Sequence, residues 1–197
     1  MDIYRAMENR HSNYSIGGGS LMSDTEIENI LKRVINSAPS AFNSQSSRTI
    51  LLLGESHIAF WKIVMDTLRR KVPADKFQTT KMKIDSFAVG YGTVLYYEDM
   101  DIVKNMQEKF PSYSDNFPVW SQQSSGMLQF AVWIAFASEG FGASLQHYNP
   151  IIDEETAEKF DVPKNWKLIA QMPFGESTGT PKIAVHDPIE EHFFVKY

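Results

Sequence analysis

A central sheet covered by helices, an α/β or α+β sandwich, is the fold class this chain predicts, and three observations predict it. Segments with helical spacing of apolar residues alternate along the chain with short apolar runs of strand length. The stretch from Met127 to Ala137 is apolar on every helical face except at Gln129, and a helix of that kind has to be buried all round, by its own chain or by a twin. Finally, 43% of the 197 residues are hydrophobic, with no internal repeat and no linker, so residues 1–197 are expected to form a single domain around its own core.

Taken in order, residues 1–8 suit a short helix with Ile3 and Met7 on one side. A polar stretch with one fixed cation, Arg10, comes next. Gly17-Gly18-Gly19 lacks the Gly-Lys-Ser/Thr ending of a phosphate loop and reads as a flexible connector. Ser23 and Glu26 form a capping box, after which Ile27, Ile30, Leu31, Val34 and Ile35 follow at helical spacing until Pro39 stops the helix. Thr49 to Leu53 reads as a fully buried strand. Ile58, Trp61, Val64, Met65 and Leu68 mark a second amphipathic helix whose basic end, Arg69 to Lys71, is explained by the helix dipole. Lys81 and Lys83 read as a solvated strand edge. Thr93 to Tyr97 is the next strand, and Asp99 caps a helix carrying Ile102, Val103 and Met106.

From Phe110 to Trp120 the chain holds Pro111, Tyr113, Phe117 and Pro118 and reads as a long aromatic loop, the kind that serves as a lid. Ser124 or Ser125 then caps the apolar helix, and Gly140 ends it with left-handed geometry. The run 141–150 begins as a strand and closes as a loop at Tyr148-Asn149-Pro150. Asp153 caps a short helix, Trp166 to Met172 is a strand, and Gly175 to Pro181 is a flexible turn. Phe193 to Tyr197 reads as an apolar strand that needs a partner in its own chain or another.

A net charge of −5 argues against a general nucleic-acid binder, which carries a basic surplus. The absence of cysteine removes disulfides and thiolate metal sites and fits a reducing cytoplasm. The first residues lack the basic start and apolar core of a signal peptide, and no apolar run approaches transmembrane length, so no membrane partner is expected. The five histidines, at 11, 57, 147, 186 and 192, form no pair at metal-ligand spacing. No Gly-x-Ser-x-Gly elbow is present, and Gly140-Phe-Gly142 lacks the third glycine of a dinucleotide fingerprint. With no nucleophile, metal or nucleotide fold visible, an enzyme built on this chain relies on a cofactor for its chemistry.

An anionic, aromatic cofactor suits the residues that remain. Arg10 with Ser12 offers a charge and a hydroxyl to a phosphate. Lys81 or Lys83 can approach a ring that gains negative charge, and backbone N–H groups at Gln146–Tyr148 can point at a ring nitrogen. Each has an ordinary reading as well: Arg10 as a surface ion pair, the lysines as a solvated edge, His147 as a hydrogen-bonded core residue.

Several runs in order carry a resemblance. Arg10-His11-Ser12, the segment PSAFNSQSSR (39–48), GYGTVLYYED (90–99), FPVWSQQSSGMLQF (117–130), GASLQHYNP (142–150) and AQMPFG (170–175) together resemble the nitroreductase flavoprotein family, and more closely its fatty-acid-repression-mutant-type subgroup. The resemblance implies an α+β fold with a central, mostly antiparallel sheet flanked by helices, and an intertwined homodimer with two FMN molecules between the subunits. It implies that Arg10, His11 and Ser12 hold the phosphate and ribityl chain, with Lys182 of Thr180-Pro181-Lys182 as a later phosphate-binding lysine. Pro39, Ser40, Ala41 and Asn43 would come from the second subunit to line the ring, with Gln45 beside them. Lys83, or Lys81, would face the O2/N1 side, and the backbone N–H of His147 or Tyr148, next to Gln146, would address N5.

Two positions depart from the family pattern. Tyr14 stands where many members have a basic residue, and Ala184 stands where many have a second late arginine. The activity implied is NAD(P)H-dependent reduction of a small aromatic acceptor, nitroaromatics and quinones, in ping-pong order through flavin N5. Phe117 and Trp120 would sit in the substrate lid, with no catalytic side chain in the strict sense. A flavin-binding redox-sensing dimer with incidental turnover is the alternative reading.

Overall fold

The computed structural model describes residues 2–197, so the first residue of the expected 1–8 helix lies outside them. In chain order the elements are α1 (Ile3–Asn9), β1 (Ile16–Gly17), α2 (Asp24–Ser37), β2 (Ser47–Leu53), α3 (Gly54–Lys71), α4 (Phe77–Ala88), β3 (Gly92–Asp99), α5 (Met100–Lys109), α6 (Phe117–Ser138), β4 (Phe141–Ala143), α7 (Asp153–Lys159) and β5 (Trp166–Ser177). Short 3-10 turns lie at Ala41–Asn43, Pro111–Asn116 and Ile189–Glu191.

The strands form one five-stranded sheet in the order β1-β5-β3-β2, with β4 also on β5, and every strand pair is antiparallel. All eight residues of β3 are buried. Because side chains alternate across a strand, β3 feeds two cores. Val94 and Tyr96 meet Ile27 and Leu31 of α2 and Leu128, Val132 and Phe136 of α6 on one face. Leu95 and Tyr97 meet Phe60, Trp61 and Val64 of α3 and Ile84 and Phe87 of α4 on the other. The antiparallel sheet flanked by helices is the architecture the resemblance implies.

The Ser23 capping box is present, with both the side-chain and the return backbone bond. Asp99 caps α5 by accepting from the Asp101 N–H. Gly140 ends α6 region geometry at φ +86°.

Several expectations need correction. The strand at 49–53 is not fully buried: only Leu52 is, because β2 lies at the edge of the sheet. Lys81 and Lys83 lie on helix α4, where Ile84 and Phe87, three residues apart, supply the buried stripe. The segment 110–120 is not a loop. It is a 3-10 turn followed by the first turn of α6, where Pro118 has no N–H to satisfy. Ser124 and Ser125 are therefore interior to α6, not its cap; Ser124 Oγ donates to the Trp120 carbonyl at 2.8 Å, and Gln129 Nε2 donates to Ser125 Oγ at 3.0 Å. Gln129 is buried while Met127 and Phe130 are exposed, so the polar exception points inward and an apolar face stays uncovered.

Asp153 is the first helical residue of α7, whose cap position is Ile152. Gly17 belongs to β1, and β5 runs on to Ser177, shortening both supposed connectors. A Cβ on Gly175 would lie 2.1 Å from the Gly17 carbonyl oxygen, so this glycine is what lets β1 lie against β5. The tail at 193–197 forms no strand, and Phe193, Phe194, Val195 and Tyr197 are exposed.

Candidate active site

Arg10 closes α1: its N–H donates to the Ala6 carbonyl at 3.1 Å, and its backbone turns extended there. The guanidinium lies 4.6 Å from the centroid of the Trp133 ring on α6. Its Nε is buried and has no hydrogen-bond partner. A buried donor on a fixed cation is costly to leave unmet. Trp133 also walls a cleft shared with His11, Asn13, Gly142, Ser177 and Pro181. Lys182, the residue after Pro181, is exposed beside it.

Ser12 is bridged to Ala143, and Asn13 pins the turn that follows. The Asn13 N–H donates to the Ala143 carbonyl at 2.9 Å, its Nδ2 donates to Ser177 Oγ at 2.7 Å, and its Oδ1 accepts from the Ser15 N–H at 2.9 Å. Gly142 gives way to it, since a Cβ there would sit 2.8 Å from Asn13 Nδ2. The sequence reading passed over Asn13. Its only signal was a turn-forming residue next to Ser12.

Farther along, Tyr14 is half-exposed and packs on Phe87 with ring centroids 5.9 Å apart. Lys83 Nζ lies 6.0 Å from the Tyr14 centroid and 5.9 Å from that of Phe87. Lys81 points elsewhere and donates to Asp85 at 2.5 Å. Residues two apart on a helix do not share a face, and of the two it is Lys83 that lies beside Tyr14 and Phe87. Tyr148 comes near Tyr14 as well: burial, with the Tyr14 charge adding, pushes its hydroxyl up to about 12.

The loop at 146–148 is held by Gln171, a fully buried residue of β5. Gln146 and Gln171 exchange backbone bonds at 2.7 and 2.9 Å. Gln171 Oε1 accepts from the Tyr148 N–H at 2.8 Å, and Gln171 Nε2 donates to Asn149 Oδ1 at 3.1 Å. The Gln146 and Tyr148 N–H groups are thus occupied, which leaves the N–H of His147 as the unpartnered one of the three. Gln171 too escaped the sequence reading, because a glutamine inside an apolar strand carries no spacing signal.

Segment 39–45 forms a separate wall. Phe42, Asn43 and Gln45 have φ of 55°, 52° and 50°. Ser40 Oγ accepts from the Gln45 N–H at 2.9 Å, Arg48 Nη1 donates to the Gln45 carbonyl at 2.7 Å, and the Ala41 N–H reaches Ser124 Oγ at 3.4 Å. Pro39, Ser40, Asn43 and Gln45 line one cleft with Arg48 and Ser124. Phe42 points the other way, onto the rings of Phe110, Tyr113, Phe117 and Trp120. Phe117 is buried, while Trp120 is half-buried and stacked on Phe42 at 5.8 Å.

Within one chain the predicted residues therefore fall into two groups. Arg10, His11 and Ser12, with Pro181 beside Lys182, gather at the ends of α1 and β5, and Tyr14 and Lys83 meet over Phe87, with Tyr148 near Tyr14 and packed edge-on against Trp61. The 39–45 segment lines a different cleft. Among the described residues no group of three or more His, Asp or Glu side chains is placed to hold a metal ion, and no helix is long and apolar enough to cross a membrane.

Comparison with known proteins bears on this arrangement. The solved structure of the nitroreductase CinD from Lactococcus lactis in complex with chloramphenicol superposes with a TM-score of 0.91 at 36% identity, covering 100% of both chains. CinD has also been solved with 4-nitrophenol. Nitroreductase FRM2 of Saccharomyces cerevisiae is 27% identical over 157 residues, 80% of this chain and 77% of that one, which agrees with the subgroup resemblance. A nitroreductase with bound FMN from Desulfitobacterium hafniense shares the fold, with a TM-score of 0.74 at 16% identity and 100% coverage of both chains. The Nitroreductase family model matches residues 7–176, from the end of α1 to the β1–β5 pairing that flanks the Arg10 cleft, and the chain belongs to that family of oxidoreductases.

Proposed function

We propose that the chain is the subunit of an FMN-dependent NAD(P)H oxidoreductase that reduces nitroaromatic compounds and quinones. The observation that carries this is Arg10, a cation stacked on Trp133 whose buried Nε has no protein partner. The residues fit the group: an anion receptor at one end, an aromatic and cationic surface at Tyr14, Lys83 and Tyr148, and a free backbone donor at His147. FMN, when bound, would supply the redox chemistry between NAD(P)H and the acceptor.

In this reading the protein's own part is placement and electrostatics. Arg10, with His11, Ser12 and Lys182, holds the phosphate end. Because Ala184 provides no second arginine, Arg10 carries a larger share of that charge. Lys83 offsets negative charge at the O2/N1 side of the ring, and the His147 N–H addresses N5.

Pro39, Ser40, Ala41, Asn43 and Gln45 would line the ring of the second subunit's site. Their lining of a cleft apart from Arg10 supports this, as do the exposed apolar face of α6 and the exposed tail, both of which suit a homodimer. The chloramphenicol and 4-nitrophenol complexes of CinD support a flat nitroaromatic acceptor, and the FMN of the Desulfitobacterium relative supports the cofactor. The lack of cysteine suits a cytoplasmic setting.

The test is direct. Protein purified gently should be yellow or take up FMN, be bleached by NAD(P)H without oxygen, and recover its colour on addition of a nitroaromatic. Protein that is colourless and takes up no FMN overturns the reading.

A further inference from the structure

Glu98 is a wholly buried carboxylate on β3, and no step above uses it. Its two oxygens are divided between two neighbouring hydroxyls: Ser46 Oγ donates to Oε2 at 2.6 Å, and Ser47 Oγ donates to Oε1 at 2.5 Å. The Ser46 carbonyl in turn accepts from the Asp99 N–H at 2.9 Å. These serines directly follow segment 39–45. That segment holds three non-glycine residues in the left-handed region, a conformation that is costly and persists only where the surroundings over-determine it. A buried carboxylate is itself expensive to keep, and this one makes no ion pair of its own. The Arg48 guanidinium beside it bonds to Asp99, at 3.1 Å.

We propose that Glu98 is a positioning residue which, through Ser46 and Ser47, fixes the start of β2 and so holds segment 39–45 in the shape that lines the flavin. This rests on the flavoprotein reading for its purpose, though not for its geometry. An ionised carboxylate accepts from both serines at once. In the protonated acid one oxygen carries the proton, so the serine on that side has to turn its hydroxyl round to accept, and the charge-assisted pair of bonds that anchors both serines is weakened.

Burial raises the point at which Glu98 takes up a proton. Its seryl bonds and Arg48 oppose that rise, and Asp99 adds to it. The charges near it are few: Arg48 on β2 and Asp99 on β3 act on it, and Lys167 on β5 is its cross-strand neighbour. Helix α6 adds none, since nothing from Phe117 to Ser138 titrates.

The experiment compares wild type, Glu98→Gln and Ser47→Ala as full chains. It reads amide exchange at residues 43–45 without flavin, and FMN dissociation constants, from about pH 8 to about pH 5. In the wild type, the protection of the 43–45 amides, taken relative to intrinsic exchange at each pH, should fall and FMN affinity should weaken as pH falls, with protection in the rest of the sheet unchanged. Glu98→Gln should raise the FMN dissociation constant about tenfold at the upper pH, the scale of one charge-assisted hydrogen bond, and flatten both pH profiles. Ser47→Ala, the milder variant, should move both readouts in the same direction. Wild-type exchange at 43–45 in Glu98→Gln overturns the proposal, and so does faster exchange spread evenly over all strands. If the wild type binds no FMN, the functional reading fails, while the exchange profile still decides the role of Glu98.

Discussion

Arg10 and His57 show how much a single side chain can hold. Replacing Arg10 by alanine removes the stacked cation and its unmet donor, and FMN affinity should fall by about 1.5–3 kcal/mol, the range for a lost charge-assisted contact. Equilibrium titration with FMN checks it, and an unchanged dissociation constant would take Arg10 out of the site. His57 is buried between Thr93, 2.9 Å from its Nδ1, and the Ala88 carbonyl, 3.1 Å from its Nε2, while Trp61 Nε1 donates to the same threonine at 2.9 Å. Burial holds the imidazole below its ordinary value, with backbone bonds to Ala88 and Phe87 opposing.

A lowered folded value favours the neutral ring. Its stabilising contribution is complete above the unfolded value near 6.5 and is lost as pH falls through the folded value. The melting temperature should therefore drop on acidification from neutrality, and more steeply in wild type than in His57→Phe. At this scale the sequence displayed residue types well and partners poorly. Arg10 and Lys83 stood out as cations near aromatic positions. The bonds of Asn13 and Gln171 join residues 164 and 23 positions apart, which no local pattern reports.

At the scale of elements, the 110–120 stretch changes character. With Phe117 buried and Phe42 seated among four rings, it is packed structure whose far side is tied to segment 39–45. Phe117→Ala should cost about 3–5 kcal/mol of stability, as truncation of a buried phenylalanine does. Trp120→Ala, at a half-buried site, should leave the fold in place and shift acceptor KM more than FMN affinity. Urea melts and acceptor kinetics on the two variants check this, and equal stability losses with unaltered KM would assign Trp120 a structural role.

Helices with capping signals and apolar periodicity were readable directly, as Ser23 and Ile27 show. The 110–120 helical start was not, because two prolines and four aromatics look the same in a loop as in a first turn. Likewise, Thr49 to Leu53 has the composition of a buried strand, and only the sheet order reveals it as an edge.

For the whole molecule, the exposed Phe193, Phe194, Val195 and Tyr197, together with Met127 and Phe130, amount to apolar surface that a homodimer would cover. Deleting residues 189–197 should yield a chain that is unstable or aggregated and poor in FMN, and the thermal stability of the intact protein should rise with its concentration. Sedimentation and flavin content check both. A truncated chain that stays monomeric, folded and yellow would refute the shared site. The class of fold was legible from alternating patterns, whereas the placing of Asn13 against Ser177 and of the 146–148 loop against Gln171 depends on β5, whose pairings no short window contains.

That strand also dictates an order of events during synthesis. β5 pairs with β1, β3 and β4, and among the described residues the one strand pairing that does without it is β2 with β3. A nascent chain can close that one ladder early. The strand β1 must then wait unpaired, and the two cores must wait for the β5 residues Leu168, Ala170, Met172 and Phe174, until residue 177 clears the ribosome, some 160 residues after β1, a separation of the kind that slows folding and invites aggregation. Ribosomes stalled before that point should hold chains that are protease-sensitive at β1 and over the faces β5 covers, and those stalled well beyond it should hold chains that resist.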